Sequence, residues 1–308
     1  RNKHMGTVHL LDSMLLAPSD GKSLAVLGML LGFHTLELPD GYSKGEMKRL
    51  LDEQPDVFEE YALRDAEITA RYIRRVEEQC GDLGLNDYRP VTVGGLATKI
   101  LLKRLDDEGI DYDAVMGVVK GSQVSSGFTS TTRSYKSQLV QRHESLAVDC
   151  YHGGRNECFL FGFQSGVFTD WDLEGAYSTA LAAFIEPDFD NLKETTDPND
   201  FTHDQLGYAL VKWKFPDDTR FPCLFQRDPN GHGLIYLLEG EESLTSPEIA
   251  LALRMGADIT IVSGVIIPAK EDGVRPFLSL SQWVNKQRKA HPKKTHPFEN
   301  GFFKLIGN

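Results

Sequence analysis

The chain has 308 residues, 41% of them hydrophobic, and a formal net charge of −12. That length holds two domains with separate cores, and so acidic a total argues against simple non-specific nucleic-acid binding. No apolar run approaches the ~20 residues of a membrane span, so no membrane partner is expected. Cys80, Cys150, Cys158 and Cys223 form no CxxC pair, which argues against a zinc site or a disulfide framework and fits reduced thiols in an intracellular setting. With Arg1 at its start and no secretory signal, the sequence reads as an internal piece of a longer protein.

In chain order, Thr7 to Leu11 predicts a short strand and Ser23 to Gly32 a short apolar helix, with Ser23 placed to act as N-cap. Pro55-Asp56 opens the clearest helix, running to about Gln79, with Asp56 and Glu59 spaced as a capping box. Phe58, Tyr61, Asp65, Ile68 and Tyr72 recur on one face of it. Asp65 is thus a carboxylate inside an apolar stripe, costly to bury unless it is salt-bridged to a neighbour or binds a metal. Thr92 to Lys103 reads as a helix. Gly121 to Thr132, rich in Ser, Thr and Gly, reads as a loop or linker, which divides the chain into residues 1–125 and 126–308. Leu146 to Tyr151 reads as a strand entering a turn at Gly153-Gly154. Two glycines there permit an ordinary hairpin turn, or close approach of the backbone to a phosphate.

Gly166 to Phe184 is the most informative stretch. Val167, Phe168, Thr169 and Trp171 are strand formers. Asp172 ends the run, Gly175 breaks the chain, and Ala176 onward predicts a helix with Tyr177 on its first turn. A carboxylate where a strand yields to a turn and helix is placed to hold a divalent metal with a triphosphate; a solvated Asp on an edge strand is the plainer alternative. Asp170 rivals Asp172 by lying on the same side of the strand. Further strands are predicted at Tyr208–Phe215, Pro222–Gln226, Gly231–Leu238 and Ile259–Ile267. Helices are predicted at Ser246–Gly256, within Arg275–Lys289 and at Phe302–Asn308, the last with Lys304 and Asn308 one turn apart. Basic residues cluster from Lys286 to Lys304. The histidines show no ligand spacing.

Three of these stretches, Tyr151-His152-Gly153-Gly154, Asp172 with Tyr177, and Lys304 with Asn308, resemble in order the Tyr-x-Gly-Gly and first two polymerase motifs of family-B DNA polymerases. The likeness is to the viral, plasmid and organellar branch that includes the protein-primed phage enzymes. Tyr61-Ala62-Leu63-Arg64-Asp65 resembles that family's third exonuclease motif, and Ser23-Leu24 resembles, loosely, its single-stranded-DNA contact. The sequence departs from the pattern at Gly175-Ala176, where Ser-Leu is common, and at Ser178, where Pro is common.

The resemblance implies a mixed α/β (α+β) chain. Residues 1–125 would be the C-terminal part of an RNase H-like 3′–5′ exonuclease domain plus linker, and 126–308 the palm, with an insertion and the beginning of the fingers. It implies template-directed nucleotidyl transfer on a DNA primer-template with deoxynucleoside triphosphates and two Mg²⁺ ions, Asp172 bridging the metals and the Leu173 carbonyl adding a ligand. Tyr177 would sit under the sugar, Lys304 neutralise the triphosphate and Asn308 line the nucleotide pocket, the four side chains sharing one cleft. Tyr151, Gly153, Gly154, Ser23 and Leu24 would contact DNA. Asp65 would bind metal and Tyr61 orient a water, with Lys44 the nearest candidate for an assisting lysine. The interval from Asp172 to Lys304 leaves room for an insertion that contacts a priming terminal protein. The Asp-Thr-Asp that would supply the second carboxylate is absent from the sequence, so the chain alone is expected to be inactive. A non-catalytic nucleic-acid- or partner-binding relic is the alternative, and a nuclease built on Asp65 a third.

Overall fold

A computed structural model describes residues 10–18, 21–124, 130–173, 175–231 and 233–307. The helices and strands in chain order are α1 (Leu24–Leu30), α2 (Met47–Glu53), α3 (Pro55–Asp82), α4 (Val93–Asp107), α5 (Tyr112–Val115), β1 (Val118–Val124), β2 (Ser130–Lys136), α6 (Gln138–Asp149), α7 (Ala176–Ala183), β3 (Lys193–Glu194), β4 (Leu206–Lys214), β5 (Phe225–Arg227), β6 (Leu234–Tyr236), β7 (Glu239–Thr245), α8 (Ser246–Arg254), β8 (Asp258–Ile267), α9 (Leu278–Ala290) and α10 (Pro297–Gly307). They form two compact units: residues 1–109, 174–183 and 277–308, and residues 110–173 and 184–276.

The first unit is helical. Its core joins Ile68, Tyr72 and Val76 of α3 to Leu27 of α1, Leu96 and Ile100 of α4, Val284 of α9 and three phenylalanines of α10. The apolar stripe of α3 thus faces inward as its period requires. Tyr72 carries its phenol into this core, where the hydroxyl donates to the Leu16 carbonyl at 2.8 Å and burial pushes its pKa up to about 12. Helix α3 starts on Pro55 at its first position, behind Gln54, so the expected Asp56–Glu59 capping box does not form. Proline needs no amide partner at that position and presets φ for the helix, which moves the start one residue ahead of the box.

The second unit is built on an antiparallel sheet of order β3-β8-β4-β7. Alternate residues of β4 (Ala209, Val211, Trp213) pack inward with Leu244, Ile249 and Ile259, the period-2 pattern of a sheet covered on one face. Strand β7, Glu-Gly-Glu-Glu-Ser-Leu-Thr, has weak strand propensity and was not expected. It pairs with β4, where Lys212–Glu241 and Lys214–Glu239 lie 3.5 Å apart across the ladder. Such exposed pairs contribute about 0.2–1 kcal/mol each.

Three other expectations are corrected. The predicted loop at Gly121–Thr132 lies largely in the antiparallel hairpin of β1 and β2, because Ser and Thr serve a ladder as readily as a loop once a partner strand stands opposite. Leu146 to Asp149 belongs to helix α6, capped by Ser137, whose hydroxyl accepts from Val140 N at 3.3 Å. Val167 to Trp171 forms no strand: residues 151–173 carry no regular secondary structure, and Val167, Phe163 and Trp171 are 98%, 94% and 89% exposed. Strand formers without a partner strand have no ladder to join. The expected strand at Thr7 to Leu11 lies mostly outside the described residues, and α10 begins at Pro297 rather than Phe302.

Ile68 is fully buried at the centre of the first unit's core. Ile68→Ala is expected to lower stability by about 2–5 kcal/mol, read as a lower urea midpoint at unchanged slope; a change under 1 kcal/mol would contradict this core assignment.

Candidate nucleic-acid and metal-binding sites

The Tyr151–Gly154 stretch leaves the C-terminus of α6 and is fixed by side chains from elsewhere in the second unit. Arg227 on β5 donates to the carbonyls of Asp149 (2.5 Å) and Tyr151 (2.9 Å). The same guanidinium pairs at 2.5 Å with Glu242, which is mostly buried and also accepts from the Arg227 amide at 3.1 Å. A cation at a helix C-terminus satisfies orphan carbonyls and complements the dipole. His152 turns inward, its Nε2 2.8 Å from Glu248 Oε1 and its ring 4.3 Å from that of Phe225. The other oxygen of Glu248 accepts from Thr245 N and Oγ1, the capping box of α8. Arg155 donates to the Pro222 carbonyl and covers the Tyr236 ring at 3.9 Å.

These anchors leave Tyr151 84% exposed. Gly153 and Gly154 lie outside any turn, without positive φ, and an added Cβ at either would meet nothing within 4 Å. The hairpin-turn reading of the two glycines is therefore corrected. Nothing in the chain's own packing requires glycine at either position.

Asp172 and Leu173 follow in the same unit, both exposed. The Asp172 carboxylate makes no hydrogen bond or ion pair among the described residues, and neither does that of Asp170. Gly175, at φ +63°, turns the chain into α7, a backbone state glycine adopts at little cost. Tyr177 on α7 is 74% exposed. In the first unit, α7 and α10 each pack against α9, and an apolar pocket of about 180 Å³ lies between them, lined by Ser178, Leu181, Leu280, Val284, Ile306 and Gly307 among others but by neither Tyr177 nor Lys304. Lys304 is exposed. Asn308 lies outside the described residues. Asp172 belongs to the other unit, and nothing among the described residues tests the expected four-residue cleft.

In the first unit Asp65 is half-buried on α3, one turn after Tyr61. Its Oδ1 is buried and has no hydrogen-bond partner among the described residues. Burial pushes the carboxyl pKa up, and the positive charge of Lys44 partly offsets this. The salt-bridged alternative is thus not realised. An orphaned carboxylate oxygen beside a cation is a donor that fits a divalent metal, although no group of three or more His, Cys, Asp or Glu gathers for a metal among the described residues. Ser23 caps α1, accepting from Val26 N at 3.4 Å, and Leu24 is half-buried behind it. Sequence reasoning passed over Arg227 and Glu248, because their partners Tyr151 and His152 lie 76 and 96 residues away along the chain, and over Glu242, whose partner Arg227 is 15 residues away on another strand.

No protein-family model matches the chain. It is 35% identical over 314 residues to the primer-independent DNA polymerase PolB of Escherichia coli, an alignment that takes in 98% of this chain and 36% of that protein. The chain therefore spans about a third of the length of the curated relative it matches. Among solved structures, phi29 DNA polymerase in complex with primer-template DNA and incoming nucleotide aligns with a TM-score of 0.53 at 13% identity, covering 96% of this chain and 47% of that one. The phi29 polymerase–primer-template binary complex aligns with a TM-score of 0.54 at 12% identity, covering 93% and 45%. The fold is that of a large part of phi29 DNA polymerase.

Because the raised pKa of Asp65 means the folded state holds its proton more tightly than the unfolded chain, the neutral acid contributes stability that is full below the ordinary carboxylate pKa, about 4, and is lost as pH rises through the folded value. Asp65→Asn is expected to raise Tm at pH 7, with the gap closing as pH falls towards 4. A variant less stable than wild type at pH 7 would contradict the unpartnered carboxylate.

Proposed function

We propose that this chain is part of a family-B DNA polymerase that carries out template-directed nucleotidyl transfer, joining the end of a 3′–5′ exonuclease domain (residues 1–125) to the palm and the beginning of the fingers (126–308). The observation that carries this reading is the ordered set Tyr151-x-Gly-Gly, Asp172 with Tyr177, and Lys304 with Asn308, on a chain aligned along 98% of its length with a DNA polymerase. The acidic total fits as well, since such an enzyme needs carboxylates for metals and only a local basic surface for phosphates.

Asp172 is the uncommitted, exposed carboxylate that would hold a divalent metal, with the Leu173 carbonyl beside it. Two bound Mg²⁺ ions would supply the charge that favours attack of a primer hydroxyl on the α-phosphate and departure of pyrophosphate. Tyr177, on the first turn of α7, would pack under the deoxyribose and exclude a 2′-hydroxyl. Lys304 would balance triphosphate charge as a mobile ammonium, and Asn308 would line the nucleotide pocket. Tyr151 would meet primer-template DNA, and the open space at Gly153 and Gly154 would admit a phosphate close to the backbone. In the exonuclease part, Asp65 would be one metal carboxylate, with Tyr61 orienting water, Lys44 beside them, and Ser23-Leu24 touching a single strand. Mg²⁺ would need further carboxylates at both places. The interval between Asp172 and Lys304 would accommodate contacts to a priming protein. The four free cysteines fit an intracellular setting, and a viral or plasmid origin rests on the motif resemblance alone.

The 308-residue chain is expected to bind a primer-template duplex and to extend no primer with Mg²⁺. In a longer polymerase containing it, Asp172→Asn should cut primer extension on the order of a thousandfold, as loss of a metal ligand worth several kcal/mol requires. Extension at the wild-type rate by that variant would sink the assignment of Asp172.

A further inference from the structure

The Tyr151–Gly154 stretch has no sheet or turn to hold it, yet it departs from α6 in one defined course. Two carbonyls where it leaves the helix, those of Asp149 and Tyr151, converge on a single guanidinium. That guanidinium is itself fixed from behind by Glu242, whose side chain is only 15% exposed and which grips both the Arg227 side chain and its amide. The one side chain of the stretch that points inward, His152, lies against Phe225 and is tied to Glu248. Glu248 is held in turn by Thr245. Both tethers come from the β5 hairpin and the β7–α8 corner, rigid elements that flank the sheet. The outcome is an exposed Tyr151 ring and two glycines facing open space, directly after a backbone tethered at Asp149, Tyr151 and His152.

We infer that Arg227 and His152 are positioning residues that preset the Tyr151–Gly154 stretch for DNA, so that the ordering cost of the loop is met before the duplex arrives. The inference rests on the reading of this stretch as a DNA contact. Three of the five guanidinium N–H donors of Arg227 go to two carbonyls and a carboxylate, so its action on the loop is built into the fold before any phosphate arrives. Lysine cannot reproduce that hold, because a point charge on a flexible stem does not bridge three acceptors in a fixed fork.

Two measurements on the 308-residue chain separate the parts. Hydrogen exchange reads the clamp without DNA: Arg227→Gln should speed exchange about tenfold at the amides of Cys150 and Tyr151, which donate to the Leu146 and Val148 carbonyls, while the β4 amides keep their protection. Unchanged exchange at those two amides overturns the clamp. If Arg227→Gln loosens β4 as well, Arg227→Lys carries the same comparison. Fluorescence anisotropy with a labelled primer-template duplex reads the consequence: Arg227→Gln and Tyr151→Ala should each weaken binding about tenfold, and the double variant no further than Tyr151→Ala alone. Additive losses, with the salt slope reduced by about one in Arg227→Gln, would make Arg227 a direct phosphate contact and overturn its positioning role. A wild-type chain that fails to bind the duplex overturns the DNA reading itself, whatever the exchange result.

Discussion

A backbone amide or carbonyl withdrawn from water must find a partner, and that demand sorts the second unit into its parts. Strands β3, β8, β4 and β7 meet it through an antiparallel ladder, and one face of that ladder builds the core. Residues 151–173 have no such ladder. Where they leave α6, the carbonyls of Asp149 and Tyr151 are served by one arginine instead. Further along, Phe161, Phe163, Val167 and Trp171 stand in solvent on a backbone with no strand beside it. An apolar ribbon of that extent is unusual on a monomer surface.

The same economy of partners explains Asp65. A carboxylate on the apolar face of a 28-residue helix is tolerated because it is only half-buried and because Lys44 lends a positive field. It is left without a hydrogen bond on Oδ1, an arrangement that costs stability. Stability surrendered at a carboxylate that could serve a metal is what a functional site looks like in energetic terms. Tyr72, two turns on, is the contrast: a polar group deeper in the core with its one donor satisfied.

Two kinds of glycine frame the polymerase-like motifs. Gly175 sits at a positive φ that the turn into α7 requires, so its identity follows from the fold. Gly153 and Gly154 adopt backbone states open to any residue and border empty space. Their identity does not follow from the packing of the described residues, in contrast to that of Gly175.

Local periodicity and capping chemistry determined much of what could be read in the sequence: α1 behind Ser23, the length and buried face of α3, α4 behind Thr92, α7 after Gly175, and strands β4 and β8. Each depends on residues within a turn or two of one another, so the sequence carries it without reference to the rest of the chain. The motif residues Tyr151, Asp172, Tyr177 and Lys304 were singled out by resemblance to short family motifs, not by periodicity or capping. Tertiary structure alone decided that Glu-rich β7 is a strand, that residues 121–124 and 130–132 lie in paired strands β1 and β2, and that the strand formers from Val167 to Trp171 form none. Strand formation is a property of pairs, and the partner is not written in the strand. Arg227 and Glu248 were hidden likewise, because a clamp between residues far apart in sequence exists only once the sheet has brought them together.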